Sequence, residues 1–323
     1  MKIPAAFQQP IEKEIALFSK QLTKASPHEL YEPIAYMLSM GGKRIRPNLL
    51  LIACKLFGGD LKKAMPAAIA IELFHGFTLV HDDITDNAPL RRNKPSVHAK
   101  WNTNIALLSG DAMMIKAYEC LAKTPTAHLP AILNLFNETA LKVCEGQQFD
   151  MNFETRKKVS IDDYLYMISL KTAALLAASL EMGAILGGAS KKDSDRIHDF
   201  GVNIGMLFQL QDDILDVFGE QEKVGKQTGG DIINNKKTYL LLKAFELAKG
   251  NALKELTRLL NSKSAIEKVK GVTAIYEELN VLQHARKKMD AYYTSAVKSL
   301  EPIKAPEKKI LLDLTGALMS REI

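Results

Sequence analysis

Apolar residues recur at intervals of three and four along most of this chain, the period of a helix face buried against a core. No run of β-branched residues alternates convincingly with polar ones, and no Asn-Gly or Asp-Gly hairpin signal separates such runs. Proline placement agrees: all twelve prolines lie at 4–130 or 302–306, leaving 131–301 without one. Proline damages helix interiors, and that stretch is rich in the helix formers Leu, Ala, Lys and Glu. The pattern predicts an all-α protein with long helices at roughly 8–24, 46–57, 61–87, 104–123, 127–153, 160–187, 191–218 and 264–298, and shorter ones between. Connections are expected at 41–48, 87–95 and 219–237. No low-complexity linker divides the chain, so one domain over 1–323 is expected.

Two of these helices end alike. "HDDITD" at 81–86 is echoed by "QDDILD" at 211–216, each after an apolar run and each before a loop carrying basic residues. Aspartates at i and i+4 share a helix face, where like charges repel. The C-terminal end of a helix is also the wrong end for negative charge. A solvated helix end would explain one such cluster; two copies of one pattern call for a cation. Oxygen-only donors without His or Cys suit Mg²⁺ rather than Zn²⁺. Mg²⁺ is commonly completed by substrate phosphates. The clusters therefore point to a diphosphate held through Mg²⁺ ions, which would also stabilise the charge on a departing diphosphate.

The cations fit that reading. Lys43, Arg44 and Arg46 lie on a Gly-rich stretch, "GGKRIRP". Arg91 and Arg92 follow the first aspartate cluster; Lys226 and Lys236 follow the second. Lys171 opens an apolar helix, where an unpartnered cation would be costly. Together they exceed what one diphosphate requires, which points to two phosphorylated substrates.

Bulk properties exclude several classes. With 43 basic and 37 acidic residues the net charge is +6, and no long basic block suggests a nucleic-acid partner. Cys54, Cys120 and Cys144 form an odd, scattered set, which fits a reducing, cytoplasmic setting rather than a disulfide framework. The first residues lack an apolar core of signal-peptide length. The nearest approach to a membrane span, 172–189, is interrupted by Glu181 and rich in Ala and Gly, so a buried helix is expected and no span.

"GGKRIRP", "HDDITD" with "RR" five residues later, "KT" at 171–172, "FQLQDDILD" and "GKQTGGD" resemble the motifs of the trans-isoprenyl diphosphate synthases, in that family's order across 41–239. "LLSGD" (107–111) and "EGQQFD" (145–150) resemble its phrases too. The resemblance implies an all-α bundle of mostly antiparallel helices around a deep central cavity, usually a homodimer. It implies head-to-tail condensation of isopentenyl diphosphate with an allylic diphosphate, with three Mg²⁺ per active site. Carried onto this chain, Asp82 and Asp86 would be Mg²⁺ ligands supported by Asp83, and Asp212 would bind a third Mg²⁺ helped by Asp213 and Asp216. Arg91, Lys171, Lys226 and Lys236 would grip the allylic diphosphate. Gly42, Lys43, Arg46, His75 and Arg92 would hold isopentenyl diphosphate. Thr172 and Gln209 would set dipoles near the carbocation. Asn93 follows the arginine pair where the family often has glycine, a departure confined to that loop.

Product length is expected to be set on the helix before the first cluster. Phe77 and Phe74, with Thr78 beside them, would lie roughly 7 and 12 Å below Asp82 at 1.5 Å rise per residue. In the family a bulky residue five before the first aspartate marks a short product, so Phe77 implies C15 or C20. The two-residue spacer of "DDITD" favours C20. The alternatives are a longer-chain synthase, a terpene cyclase, a head-to-head condensing enzyme and a non-catalytic subunit of a heteromeric synthase. The cyclase needs no second diphosphate site, the head-to-head enzyme does not match these clusters, and the subunit usually has a degraded one.

Overall fold

The structure, a computed structural model, describes residues 3–219 and 229–320. The elements run α1 (Ala5–Leu22), α2 (His28–Ser39), α3 (Ile45–Leu56), α4 (Leu61–Thr85), β1 (Leu90–Arg91), β2 (Lys94–Pro95), α5 (Val97–Lys100), α6 (Thr103–Leu121), α7 (Leu129–Thr155) and α8 (Ile161–Ile168). A π-helical turn (Ser169–Ala173) leads into α9 (Ala174–Leu186) and α10 (Lys191–Phe218). Then come α11 (Gly230–Ile233), α12 (Tyr239–Leu247), α13 (Gly250–Leu260), α14 (Ala265–Glu278), α15 (Val281–Leu300) and α16 (Lys308–Met319). The class is all-α, as the periodicity predicts.

Side-chain caps start many of these helices. Asp60 accepts from the Lys62 N–H at 2.9 Å, Asn102 from Ile105 at 2.9 Å, and Thr238 and Ser264 cap α12 and α14. Ser160 and Asp163 form a reciprocal capping box at α8. Each such cap satisfies a backbone donor that the helix cannot and contributes about 1 kcal/mol.

Three expectations are corrected. The helix expected at 264–298 is two, because Asn280 takes φ +53° between α14 and α15, a left-handed conformation Asn tolerates. The helix expected at 160–187 contains the π-helical turn. The loop at 87–95 holds a two-residue hairpin, with Leu90 opposite Pro95 and Arg91 opposite Lys94. Arg92 and Asn93 form its turn at φ +53° and +60°, the primed geometry that suits tight hairpins. Asn93 thus takes a positive φ, which asparagine and glycine tolerate best.

The chain divides into two compact units. Unit 1 comprises Met1–Asn137, Ala178–Ile197 and Ile303–Leu311; unit 2 comprises Glu138–Ala177, His198–Pro302 and Leu312–Ile323. In unit 1, α4 packs along α6 and α3. Its residues Ala67 to Phe74 are buried without a break, and all but Glu72 are apolar, so this stretch is covered on every side. Leu49 to Cys54 of α3 are likewise buried. In unit 2, α12, α14 and α15 pack on one another and α13 packs on α14.

Two helical stretches, Leu61–Thr85 and Ile161–Leu186, are long and apolar enough to cross a membrane, one more than the sequence singles out. Most of each apolar window is buried within the protein, 61% and 67%. The expected buried helix at 172–189 is found: Ala173 to Leu180 are all buried.

Glycine permits a close helix contact in unit 1. A Cβ on Gly183 of α9 would lie 2.1 Å from the Leu50 carbonyl oxygen and 2.8 Å from the Ala53 Cβ. Backbone cannot yield as a flexible side chain can. Gly183→Ala should therefore destabilise the protein by about 1–3 kcal/mol, the usual cost of overpacking. Urea denaturation of the variant should show a lower midpoint with an unchanged slope.

Candidate active site

The first aspartate cluster sits on the last turn of α4. Asp82 and Asp86 are one turn apart, tied by the Asp86 N–H donating to the Asp82 carbonyl at 2.9 Å. Asp86 is exposed and Asp82 half-buried, whereas Asp83 is buried. Helical geometry turns Asp83 about 100° away from Asp82, toward the protein. There it forms a two-pronged pair with Arg91: Nε donates to Oδ2 and Nη2 lies by Oδ1, both at 2.7 Å. Arg91 Nη2 also lies 3.7 Å from Asp82. Burial raises the Asp83 pKa although Arg91 opposes the shift. Asp83 thus supports the cluster by fixing Arg91, and Asp82 and Asp86 are the more solvent-facing pair.

A cationic group stands beside this cluster in the same unit. Arg46 Nη1 donates to His75 Nε2 at 3.1 Å, so the imidazole accepts through Nε2 and carries its proton on Nδ1. Burial, then the charges of Arg46, Arg92, Arg91 and Arg44, hold the His75 pKa well below its ordinary value. Arg92 donates to the Gly41 carbonyl oxygen. Gly42, at φ +124°, leaves the space the Arg92 guanidinium fills: a Cβ there would lie 2.6 Å from Nη1. Lys43 is exposed on the same loop.

Arg44 behaves differently from its neighbours. It is buried, takes φ +45°, and pairs with Glu72 of α4 at 2.5 Å while donating to the Leu38 carbonyl oxygen. It anchors the loop rather than facing a ligand. Glu72 is the lone acid in the buried run of α4, a signal in the sequence that could have identified this pair.

In unit 2 the second cluster repeats the first. Asp212 is exposed, Asp216 half-buried and Asp213 buried. The Tyr164 hydroxyl donates to Asp213 Oδ2, and Gln209 Nε2 donates to Oδ1 at 3.1 Å. Burial, followed by the charge of Asp231, pushes the Asp213 carboxyl up to about 8 against those two hydrogen bonds. Asp216 accepts from the Asp231 N–H at 2.9 Å. Lys236 is half-buried, and its backbone N–H donates to the Asp231 carbonyl at 2.9 Å. Lys226 lies outside the described residues.

Lys171 and Thr172 fall within the π-helical turn, which the sequence does not reveal. Such turns are frequent at functional sites. Lys171 Nζ donates to Asp150 Oδ2 at 2.6 Å, and the Thr172 hydroxyl donates to Gln209 Oε1 at 2.9 Å. Gln209 thereby connects Thr172 to Asp213. Asp150 and Tyr164 are the partners that sequence reasoning missed; Asp150 lies in "EGQQFD", and Tyr164 carries no signal.

Earlier on α4, aromatic rings pack in a row at tilted and edge-on angles. Phe77 lies 4.6 Å from His81 and 5.7 Å from Phe74, and Phe74 lies 5.2 Å from Phe136. Phe77 and Thr78 are half-buried and Phe74 is fully buried. The Thr78 hydroxyl donates to the His75 carbonyl at 2.8 Å.

The donors suit a hard cation. The solvent-facing carboxylates Asp82 and Asp86, and separately Asp212 and Asp216, offer oxygen only. Among the described residues, no three acidic, imidazole or thiolate groups converge on one point. A cation here would draw its remaining ligands from water and phosphate oxygens, the habit of Mg²⁺.

Comparison with known proteins closes the question of family. The polyprenyl synthetase family model matches residues 27–279. A geranylgeranyl diphosphate synthase of Methanosarcina mazei is 36% identical over 95% of this chain and 94% of its own. A geranylfarnesyl diphosphate synthase of Natronomonas pharaonis is 32% identical over 94% and 93%. A crystal structure of a geranylgeranyl pyrophosphate synthase superposes with a TM-score of 0.91 at 41% identity, covering 98% of this chain and 99% of that one. The motifs from "GGKRIRP" to the second aspartate cluster, the all-α fold and these matches agree, and the chain belongs to the polyprenyl synthetase family of prenyltransferases.

Proposed function

We propose that this protein condenses isopentenyl diphosphate head to tail with an allylic diphosphate, in the presence of Mg²⁺, to form a short-chain trans-prenyl diphosphate, with C20 favoured over C15. The observation that carries this reading is the Arg46–His75 pair with Arg92 seated over Gly42, a cationic set separate from the Asp82–Asp86 pair. A cyclase ionising one diphosphate has no use for both. The family match runs through both units, which supports one catalytic domain. Exposed Leu108 and Ile115, two turns apart on α6, support a homodimer. Free Cys54, Cys120 and Cys144 support a cytoplasmic setting.

In this reading Asp82 and Asp86 would hold Mg²⁺ at the first cluster and Asp212 at the second, with Asp83, Asp213 and Asp216 keeping each cluster in shape. Bound Mg²⁺ supplies Lewis-acid stabilisation of the charge on the leaving diphosphate. Arg91, Lys171, Lys226 and Lys236 neutralise that diphosphate as the allylic C–O bond breaks. Arg46, Arg92 and Lys43 bind the other diphosphate, and neutral His75 offers its Nδ1–H. The isopentenyl double bond then attacks the allylic carbocation, forming the new C–C bond. Thr172 and Gln209 present oxygen dipoles to the cation. Loss of one proton to the released diphosphate leaves a chain five carbons longer.

Product length is read from the row of rings on α4. Phe77 is half-buried and backed by the fully buried Phe74, so it forms a floor with little room beneath. The relatives named geranylgeranyl diphosphate synthases support C20.

Three outcomes test this. Purified protein with dimethylallyl, geranyl or farnesyl diphosphate should yield longer diphosphates by mass spectrometry only when isopentenyl diphosphate is present; cyclised hydrocarbon formed without it would favour the cyclase. Asp82→Ala should lower kcat by about a hundredfold or more in saturating Mg²⁺ while the fold is kept, because stabilisation of the leaving charge is lost. Phe77→Ala, confirmed folded, should shift products upward by at least one five-carbon unit, and an unchanged profile would remove Phe77 as the floor.

A further inference from the structure

The π-helical turn at Ser169–Ala173 is gripped symmetrically by the two helices that flank it. On α7, a Cβ at Gly146 would lie 2.4 Å from the Lys171 backbone nitrogen and 2.7 Å from its Cα. On α10, a Cβ at Gly205 would lie 2.5 Å from the Ala173 Cα and 2.6 Å from its Cβ. Real Cβ contacts are not that short, and the opposing atoms are mostly backbone, so both positions require glycine for this approach. One turn further along each helix stands a polar partner. Asp150, four residues after Gly146, accepts from Lys171; Gln209, four residues after Gly205, accepts from Thr172.

This arrangement makes the turn a consequence of its neighbours. A π turn holds one more residue per turn than an α turn and is rarely stable by itself. Were 169–173 an ordinary α-helix, one residue less per turn would rotate α9 by about 100° relative to α8. Straightening the turn would shift Lys171 and Thr172 out of register with Asp150 and Gln209. Gly201 extends the same close contact: a Cβ there would lie 2.4 Å from the Ala177 Cα.

We propose that Gly146 and Gly205 are positioning residues that hold 169–173 as a π turn, so that Asp150 and Gln209 can present Lys171 and Thr172 together. The proposal rests on the proposed function, in which Lys171 binds the allylic diphosphate and Thr172 faces the carbocation. It adds that neither side chain is correctly aimed by its own helix alone. The two glycines then affect different kinetic constants, because they press on different residues.

The test is steady-state kinetics of Gly146→Ala and Gly205→Ala with Mg²⁺, geranyl diphosphate and isopentenyl diphosphate, each variant checked for folding by circular dichroism and thermal midpoint. Gly146→Ala should raise KM for geranyl diphosphate about tenfold or more, with KM for isopentenyl diphosphate within about twofold, as expected of a misplaced binding group. Gly205→Ala should lower kcat about tenfold to a hundredfold with both KM values kept. Folded variants with wild-type constants, or with kcat and both KM values changed without selectivity, would overturn the proposal. Should either alanine variant fail to fold, Asp150→Asn and Gln209→Leu carry the test without touching backbone. The first should reproduce the KM effect and the second the kcat effect, and wild-type kinetics in both would overturn the proposal. Wild-type protein that turns over no allylic diphosphate would instead remove the proposed function.

Discussion

Negative charge at the C-terminal end of an apolar helix is the constraint around which this protein is arranged. α4 and α10 both end in two adjacent aspartates and a third one turn after the first. The helix dipole and mutual repulsion oppose that placement. The structure answers it in two directions. The middle aspartate of each set is turned inward and given donors: Asp83 has Arg91, and Asp213 has Tyr164 and Gln209. The outer ones stay nearer solvent. Each cluster therefore costs stability.

A similar division governs the cations. Arg91 is neutralised internally by Asp83, and Arg44 by Glu72. That pair locks the Gly-rich loop, leaving Arg46 fixed on His75 and Arg92 seated over Gly42. Positive charge is thus held in place by contacts within the protein. Preorganisation of this kind is how a site stabilises charge developing in a transition state.

Close backbone approach is the third theme. Gly183 in unit 1, and Gly146, Gly201 and Gly205 in unit 2, each sit where a methyl group would strike neighbouring atoms. Helices that approach on glycine lose side-chain burial there but gain a fixed separation. At 169–173 that separation coincides with a π-helical turn that carries two candidate site residues.

The amino-acid sequence by itself determined the helical class, most helix spans, the two aspartate clusters and the cations near them, because periodicity and local charge are properties of neighbouring positions. The break at Asn280 and the hairpin at Arg91–Lys94 were less legible, since a left-handed residue or a two-residue strand leaves little periodic signal. Only the tertiary structure decided which charges are neutralised internally. Nothing local separates Asp83 from Asp82, or Arg44 from Arg46; helix rotation and a partner on another element make the difference. It alone decided the π turn as well, since Gly146 and Gly205 lie 25 and 34 positions from Lys171 in sequence and meet its segment only through packing. A site of this kind is written in residue types along the chain, but its geometry is set by contacts between elements distant in sequence.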